Sequence, residues 1–193
     1  MQLKENVLVT TSFLTTEEDY VQFQLAQQKA AQQNVQVLVT RVLGFLLILL
    51  GVAGLVFLNT SWYTSLVFDI CVVGGLAIAF YYDTIQPYQI RRRAKKFFQT
   101  EGRRFVAQTA LFYQDRVEVS TDRYEGSLPY SLYSKVLEDD NLFVFYTGED
   151  EARFLPKRTL TDEQHAVLRN LLQTVLSTRF VVLPPQNTGR KNK

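Results

Sequence analysis

VLGFLLILLGVAGLVFL at residues 42–58 and WYTSLVFDICVVGGLAIAFYY at residues 62–82 decide the fold of this chain. A helix needs about 20 apolar residues to cross about 30 Å of hydrocarbon. Residues 42–68 carry no charged side chain. The two stretches therefore predict membrane-spanning helices at about 38–58 and 62–82. Only residues 59–61 separate the stretches, so we expect a tight hairpin.

Aromatic and basic side chains flank these stretches in the pattern of a membrane protein. Trp62 and Tyr63 stand at one end of the second stretch and Tyr81 and Tyr82 at the other, where interfacial rings are expected. The turn has no Lys or Arg, whereas residues 91–96 read RRRAKK. Because positively charged loops stay in the cytoplasm, we predict a two-span protein with both termini cytoplasmic.

The sequence on both sides of the hairpin is typical of a small α+β domain. Beyond residue 103, short stretches of alternating polarity separated by turn residues predict an antiparallel meander. TDEQHAVLRNLLQTVL at residues 161–176 predicts a helix that packs against the sheet, because Thr161 and Gln164 can form a capping box and the leucines form one stripe. Residues 7–13 predict a further strand, which we expect to complete this small domain.

These patterns divide the chain into five segments. An N-terminal strand and helix are predicted at 1–34, and the helix is expected to run into the transmembrane hairpin at 35–90. A basic juxtamembrane segment follows at 91–104, with seven Lys or Arg against one Glu. The last two segments are the sheet domain at 105–178 and a flexible basic tail at 179–193.

Residues that carry chemistry are sparse in this chain. One Cys and one His exclude a disulfide framework and a four-ligand zinc site within it. His165 has no partner at a recognisable spacing, so we expect a solvated surface residue, and no phosphate-loop, hydrolase or zinc-protease motif is present. The acidic turns at 139–141 and 148–151 lack the spacing of a calcium loop. We therefore predict that the protein is not an enzyme, and we expect no catalytic residue, cofactor, metal or nucleic-acid partner.

Three groups of charged residues are candidate functional sites. Asp69 lies inside the second span, where an ionisable side chain is costly, and both an intramembrane role and access to water are open. Lys157 and Arg158 precede the last helix and are candidates to contact an anion or a partner, the alternative being a structural salt bridge or a solvated turn. The third group is a candidate membrane-surface contact, unless it only sets the topology. It consists of Arg91, Arg92, Arg93, Lys95 and Lys96.

Small residues in the two spans predict that the helix backbones approach closely. Two of them, seven residues apart on the first span, share one helix face. Packing within the hairpin is favoured over a dimer seam, because no strict G-x-x-x-G occurs. The glycines concerned are Gly44, Gly51, Gly54, Gly74 and Gly75.

Two longer motifs frame the spans: FLTTEEDYVQFQ precedes them, and SLPYSLYSKVLEDDNLFVFYTGEDEARFLPKRTLTDEQHAVLRNLL follows the basic flank. In this order they resemble the bacterial YcxB-like family over nearly the whole chain. The resemblance implies a pleckstrin-homology-like (PH-like) second part, a bent sheet closed by a C-terminal helix, with Pro156, Lys157 and Arg158 leading into that helix. Tyr130 stands where the family commonly has Trp. The resemblance implies a fold and an address in the bacterial inner membrane, but no activity.

The expected fold class is an α+β membrane protein, in which a two-helix transmembrane hairpin is inserted before a small antiparallel β-sheet (PH-like) domain closed by a C-terminal α-helix. The expected function is a membrane-anchored cytoplasmic binding or regulatory module of unknown ligand. Its expected partners are the lipid bilayer, anionic lipid headgroups and an unidentified protein, with a homo-oligomer as a further candidate. The alternative is an oligomeric membrane subunit of an ion or solute pathway that uses Asp69.

Overall fold

The computed structural model describes residues 6–32, 35–58, 61–148 and 151–184. These residues fall into two compact units. The hairpin unit spans Gln27–Arg93, and the sheet unit combines the described parts of Met1–Ala26 and Ala94–Lys193. The helices are α1 Glu17–Gln32, α2 Val35–Phe57, α3 Trp62–Phe80, α4 Gln86–Glu101 and α5 Asp162–Leu176. The strands are β1 Val9–Phe13, β2 Gln108–Phe112, β3 Arg116–Thr121, β4 Tyr124–Pro129, β5 Lys135–Glu138, β6 Leu142–Tyr146, β7 Ala152–Pro156 and β8 Phe180–Val182.

In the hairpin unit, α2 and α3 are long and apolar enough to cross a membrane. Only 22% of the most apolar window of α2 and 11% of that of α3 are buried. A core helix of a soluble protein would be mostly buried, so these two helices leave an unusually large apolar surface uncovered. The predicted spans coincide with them, while residues 59–60 of the predicted turn lie outside the described residues.

Glycines let α2 and α3 pack backbone against backbone. A Cβ atom on Gly44 would lie 2.9 Å from the backbone nitrogen of Ala79 and 3.0 Å from the carbonyl oxygen of Gly75. A Cβ on Gly51 would lie 2.9 Å from the carbonyl oxygen of Phe68. The expected close approach within the hairpin is therefore confirmed at these positions.

A π-helical turn, Tyr81–Ile85, joins α3 to α4, and Pro87 explains it. The Gln86 amide donates to the carbonyl oxygen of Tyr81, one residue further back than in an α-helix. Pro87 has no N–H to offer the Tyr82 carbonyl that is left over. That oxygen instead accepts hydrogen bonds from the Nε2 atoms of Gln28, at 3.4 Å, and Gln32, at 2.9 Å. Two glutamines one helical turn apart thus donate to the Tyr82 carbonyl, which has no backbone donor because of Pro87.

The sheet unit contains two four-stranded sheets. Sheet A has the order β1-β2-β3-β4, and all its neighbours are antiparallel. Sheet B has the order β7-β6-β5-β8, in which β8 runs parallel to β5. Val9 pairs with Phe112 and Phe13 with Gln108, so the strand that precedes the hairpin joins the strand that follows it.

The core of the sheet unit lies between the inner faces of the sheets and α5. Alternate residues of β1 are buried, as expected for a strand with one covered face. Leu168, Leu172 and Leu176 form the buried stripe of α5 and join this core. The predicted capping box is confirmed, because the Thr161 hydroxyl accepts from the Gln164 amide and the Gln164 side chain accepts from the Thr161 amide.

Residues 105–178 form two sheets rather than the single antiparallel meander that we predicted. The chain turns at Tyr130–Leu132, between β4 and β5. Pro129 removes a donor from the end of β4, and the buried Tyr130 donates its hydroxyl to the Tyr113 carbonyl and its amide to the Asp115 carbonyl. Burial also raises the pKa of Tyr130, so its hydroxyl stays a donor. These contacts hold Tyr130 at the point where the chain passes from sheet A to sheet B.

One boundary also differs from the sequence prediction. The tail was predicted to be flexible from residue 179, but Phe180–Val182 pair with β5 and Leu183 is buried. Most of the apolar residues at 180–183 are covered by contacts within the sheet unit, which the sequence alone does not reveal. Residues 185–193 lie outside the described residues. The prediction that α1 runs into α2 depends on residues 33–34, which lie outside the described residues, and it stays a prediction.

Alanine at Gly44 should destabilise the hairpin unit by about 1–3 kcal/mol, because its Cβ would meet backbone atoms of α3 that cannot rotate away. Alanine at Gly74 is the matched control, since its Cβ would meet only Leu47 at 3.8 Å. Its higher helix propensity should leave stability unchanged or raised by up to about 1 kcal/mol. Thermal unfolding of the full chain in detergent micelles, followed by far-ultraviolet circular dichroism, compares them. Equal melting temperatures for the two variants would contradict the packing described.

Candidate functional site

Lys157 and Arg158 lie in the turn Lys157–Thr159 between β7 and α5. They are neighbours in the chain, but each forms an ion pair with a different buried carboxylate. Lys157 contacts Glu138 at the end of β5, and Arg158 contacts Asp19 near the start of α1. Both cations therefore hold elements of the sheet unit together.

Arg158 forms a bidentate ion pair with Asp19. Its Nε lies 2.9 Å from Oδ1 and its Nη2 lies 2.6 Å from Oδ2, while Nη2 also donates to the Leu14 carbonyl at 3.1 Å. Asp19 is 8% exposed and also accepts from the Thr16 amide, so the same carboxylate caps α1. A bidentate pair of this kind is among the stronger polar contacts in proteins.

Charge and burial act on Asp19 in opposite directions. Burial by itself raises the pKa of the carboxyl, but the hydrogen bonds from Arg158 and Thr16 outweigh it and hold the pKa of Asp19 below its ordinary value. The hydrogen bond to Asp19 likewise raises the pKa of Arg158. Asp19 is therefore ionised at neutral pH, and the ion pair is formed.

Two further hydrogen bonds fasten the N-terminal strand to the same turn. The Thr11 hydroxyl donates to the hydroxyl of Thr159 over 2.9 Å. The Gln164 Nε2 donates to the Thr10 carbonyl over 3.2 Å, in addition to the capping contact that Gln164 makes. With the Asp19 pair, these contacts join β1 and the start of α1 to the turn before α5.

Glu138 is the centre of a second network, the Glu138 cluster, which consists of Glu138, Lys157, His165 and Arg169. Lys157 Nζ lies 2.8 Å and His165 Nε2 lies 3.2 Å from Oε1 of Glu138, whose side chain is only 5% exposed. Arg169 Nε lies 3.1 Å from Oε2 but off the direction of a hydrogen bond, so this contact is an ion pair only. Lys157 also lies over the Phe143 ring, 5.0 Å from its centre.

His165 is thus not the solvated surface residue that the sequence predicted. Its ring is half-buried between Glu138 and Phe143, whose ring centre lies 5.5 Å away. Glu138 is 27 positions away in sequence, on a strand, so no local spacing signals the pair. The four polar residues tie β5 to the turn before α5 and to α5 itself, and this arrangement is that of a buried structural network.

No group of three or more His, Cys, Asp or Glu side chains that could hold a metal ion occurs among residues 6–32, 35–58, 61–148 and 151–184. Glu138 and Asp139 are both buried and adjacent in the chain. No third His, Cys, Asp or Glu side chain among the described residues joins them in a possible metal site.

The other candidate residues from the sequence lie on two helices. Asp69 is exposed on α3. The basic group lies on α4, where Ala94 is buried and most of the cations are exposed. Lys95 also contacts Glu17 of α1 at 3.3 Å. The basic group is thus presented largely to solvent, as a surface contact requires.

Part of this chain matches a known protein family. Residues 112–172 match the YcxB-like protein family. The resemblance drawn from the sequence motifs is confirmed over this segment, which runs from the last residue of β2 into α5. The match includes the whole Glu138 cluster, whereas Asp19 and the two long apolar helices lie outside it. No curated protein and no solved structure matches the chain.

Replacing Asp19 with Asn should lower the free energy of unfolding by about 1–2 kcal/mol at neutral pH, the half-exposed position of Arg158 moderating the loss. The pKa of Asp19 is lowered by folding, so the contribution of its charge is complete above the ordinary Asp value of about 3.9. It is lost as the pH falls through the lowered folded-state pKa. The gap between wild type and Asp19→Asn should therefore close in acid.

Urea unfolding in detergent micelles, followed by near-ultraviolet circular dichroism of the buried tyrosines, measures this gap. Asp115→Asn is the control, because Asp115 is exposed beside its ion-pair partner Arg116. If Asp19→Asn costs no more than Asp115→Asn, or if its cost does not depend on pH, the account of this ion pair is wrong.

Proposed function

We propose that this protein is a membrane-anchored binding module, in which the hairpin spans the bacterial inner membrane and the sheet unit is displayed at the cytoplasmic face. The pairing of β1 with β2 carries the proposal. Because the hairpin is inserted between these two strands, both of its ends must lie on the side of the membrane where sheet A folds. Two spans satisfy that constraint, and an odd number would not.

The uncovered apolar surface of α2 and α3 supports the membrane part of the proposal. Hydrocarbon would cover side chains that water would otherwise contact. Both segments are helices, the structure in which a spanning segment satisfies its backbone hydrogen bonds internally. The cations of residues 91–104 support the cytoplasmic orientation. Each of those near the surface gains about 1 kcal/mol from anionic headgroups.

A PH-like architecture for the sheet unit is supported by the order of its elements. Four antiparallel strands form sheet A, the antiparallel strands β5, β6 and β7 follow in sheet B, and a helix then packs its leucines on the core. The parallel strand β8 is an addition to that plan. The fold alone implies no ligand.

The proposed mechanism is display. A domain tethered to the membrane meets other membrane components at a high local concentration, so that weak contacts suffice for recruitment. Strand β4 forms one edge of sheet A, and its side chains are largely exposed. An extended segment of a partner could pair with such an edge.

Cysteine labelling tests the proposed arrangement in a Cys71→Ser background. Ser61→Cys marks the exposed residue before α3, and Thr178→Cys marks an exposed residue just after α5. A membrane-impermeant maleimide added to intact spheroplasts should label Ser61→Cys and leave Thr178→Cys unlabelled. Both should react after permeabilisation, which serves as the control for reactivity. Labelling of Thr178→Cys in sealed cells would refute the proposed orientation.

A further inference from the structure

A cleft opens between the two sheets of the sheet unit. Its outer part has a volume of about 310 Å³. A smaller cavity of about 30 Å³ continues inward from it, towards the core. The two share four lining residues, Gln108, Val119, Arg153 and Phe154, so they lie side by side.

On sheet A the wall of this cleft changes from apolar to polar along β2 and β3. Alternate residues share a face, so three cross-strand pairs line the inner side in sequence. The deepest pair is wholly apolar, the middle pair contains an alanine that leaves room, and the outermost pair is polar. From the core to the mouth the pairs are Phe112 with Val117, Ala110 with Val119, and Gln108 with Thr121.

Sheet B repeats this gradient on the opposite wall. Leu155 and Arg153 lie two residues apart on β7 and so face the same side. Leu155 is buried in the core, whereas Arg153 is exposed at the mouth. Among the described parts of the chain, Arg153 forms no salt bridge with another side chain. One cation without such a bridge thus stands at the polar end of an apolar cleft.

We propose that this cleft binds an acidic amphiphile with a single alkyl chain, of the fatty-acid class. The chain would lie in the outer part of the cleft along its apolar lining residues Phe105, Val119 and Phe154. The carboxylate would bind Arg153, whose guanidinium matches it in charge and geometry. Gln108 and Thr121 add hydrogen-bonding groups at the same level. The outer part, at about 310 Å³, is at the low end of ligand-site volumes, which are about 300–1,000 Å³, so it suits one chain rather than a two-chain lipid. The inference deepens the proposed function, and rests on it only in taking the sheet unit to be a binding module.

Photo-crosslinking of the full chain in nanodiscs of zwitterionic two-chain lipid tests the proposal. The probe is a medium-chain fatty acid that carries a diazirine on its chain, and mass spectrometry maps the labelled peptides. Label is expected on β2, β3 and β7, and unlabelled fatty acid should displace it, whereas the methyl ester should not. Arg153→Gln should weaken this labelling about tenfold, the loss expected for one charged contact.

Two further variants keep the test decisive. Lys135→Gln removes a cation from β5, two strands away from β7 in sheet B, and should leave the labelling unchanged. Thr121→Trp places a large ring at the mouth and should abolish labelling of β2 and β3. Near-ultraviolet circular dichroism verifies that each variant is folded.

Equal labelling of wild type and Arg153→Gln would overturn the proposal and leave Arg153 as a charge that protects the edge strand β7 from pairing. Label confined to α2 and α3 would also overturn it, as partition into the bilayer alone. Displacement by an anionic two-chain lipid, but not by fatty acid, would refute the single-chain class. Both faces of a nanodisc are accessible, so a failure here is independent of the orientation that cysteine labelling tests.

Discussion

The pairing of β1 with β2 is the constraint on which the rest of the structure depends. Ser12 and Thr109, which face each other in this pair, are 97 positions apart in sequence. The intervening chain contains α1, the two long apolar helices and α4. Closing a loop of this length costs little more than closing a shorter one, because the entropy grows only with the logarithm of length. The insertion of a long hairpin between β1 and β2 is therefore compatible with a stably folded sheet unit.

Polar contacts at the rim of the core keep this closure in register. The edge strand β1 gains the Thr11 and Gln164 contacts, and the start of α1 gains the bidentate pair of Arg158 with Asp19. Burying the Asp19 carboxylate without a partner would be unfavourable. Any arrangement that displaces the N-terminal segment would separate Asp19 from Arg158, and it is therefore disfavoured. Glu138 acts similarly for α5. Hydrophobic burial supplies the bulk of the stability, and these networks select one arrangement.

Elements with a strong local pattern could be predicted from the sequence. The apolar helices follow from composition, α5 from its capping box and leucine stripe, and β1 from alternation. The division into two sheets occurs at the buried Tyr130, and no local pattern reveals that burial. Strand β8 has only three residues, and its stability comes from pairing with β5.

The candidate sites divide in the same way. The exposed cations of α4 could be predicted, because a charge run needs no partner. For Lys157 and Arg158 a structural salt bridge was one of the open alternatives, but the partners could not be predicted, since the two carboxylates lie 19 and 139 positions away. His165 was misjudged for that reason. The cleft could not be predicted from the sequence. Its change from apolar to polar lining arises only when β2 and β3 pair in register and β7 lies opposite them.

A cross-strand disulfide tests the pairing of β1 with β2 most directly. Ser12 and Thr109 are directly paired and their hydroxyl oxygens are in contact at 2.9 Å, so cysteines at these positions would bring their sulfur atoms close enough to react on oxidation. In isolated membranes carrying the Cys71→Ser background, mild oxidation should convert the Ser12→Cys, Thr109→Cys chain to a faster-migrating, reducible form. A pair at Ser12 and Ser127, the latter on β4 at the far side of sheet A, should not crosslink. Absence of the first bond, or equal formation of both, would contradict a sheet that closes across the hairpin.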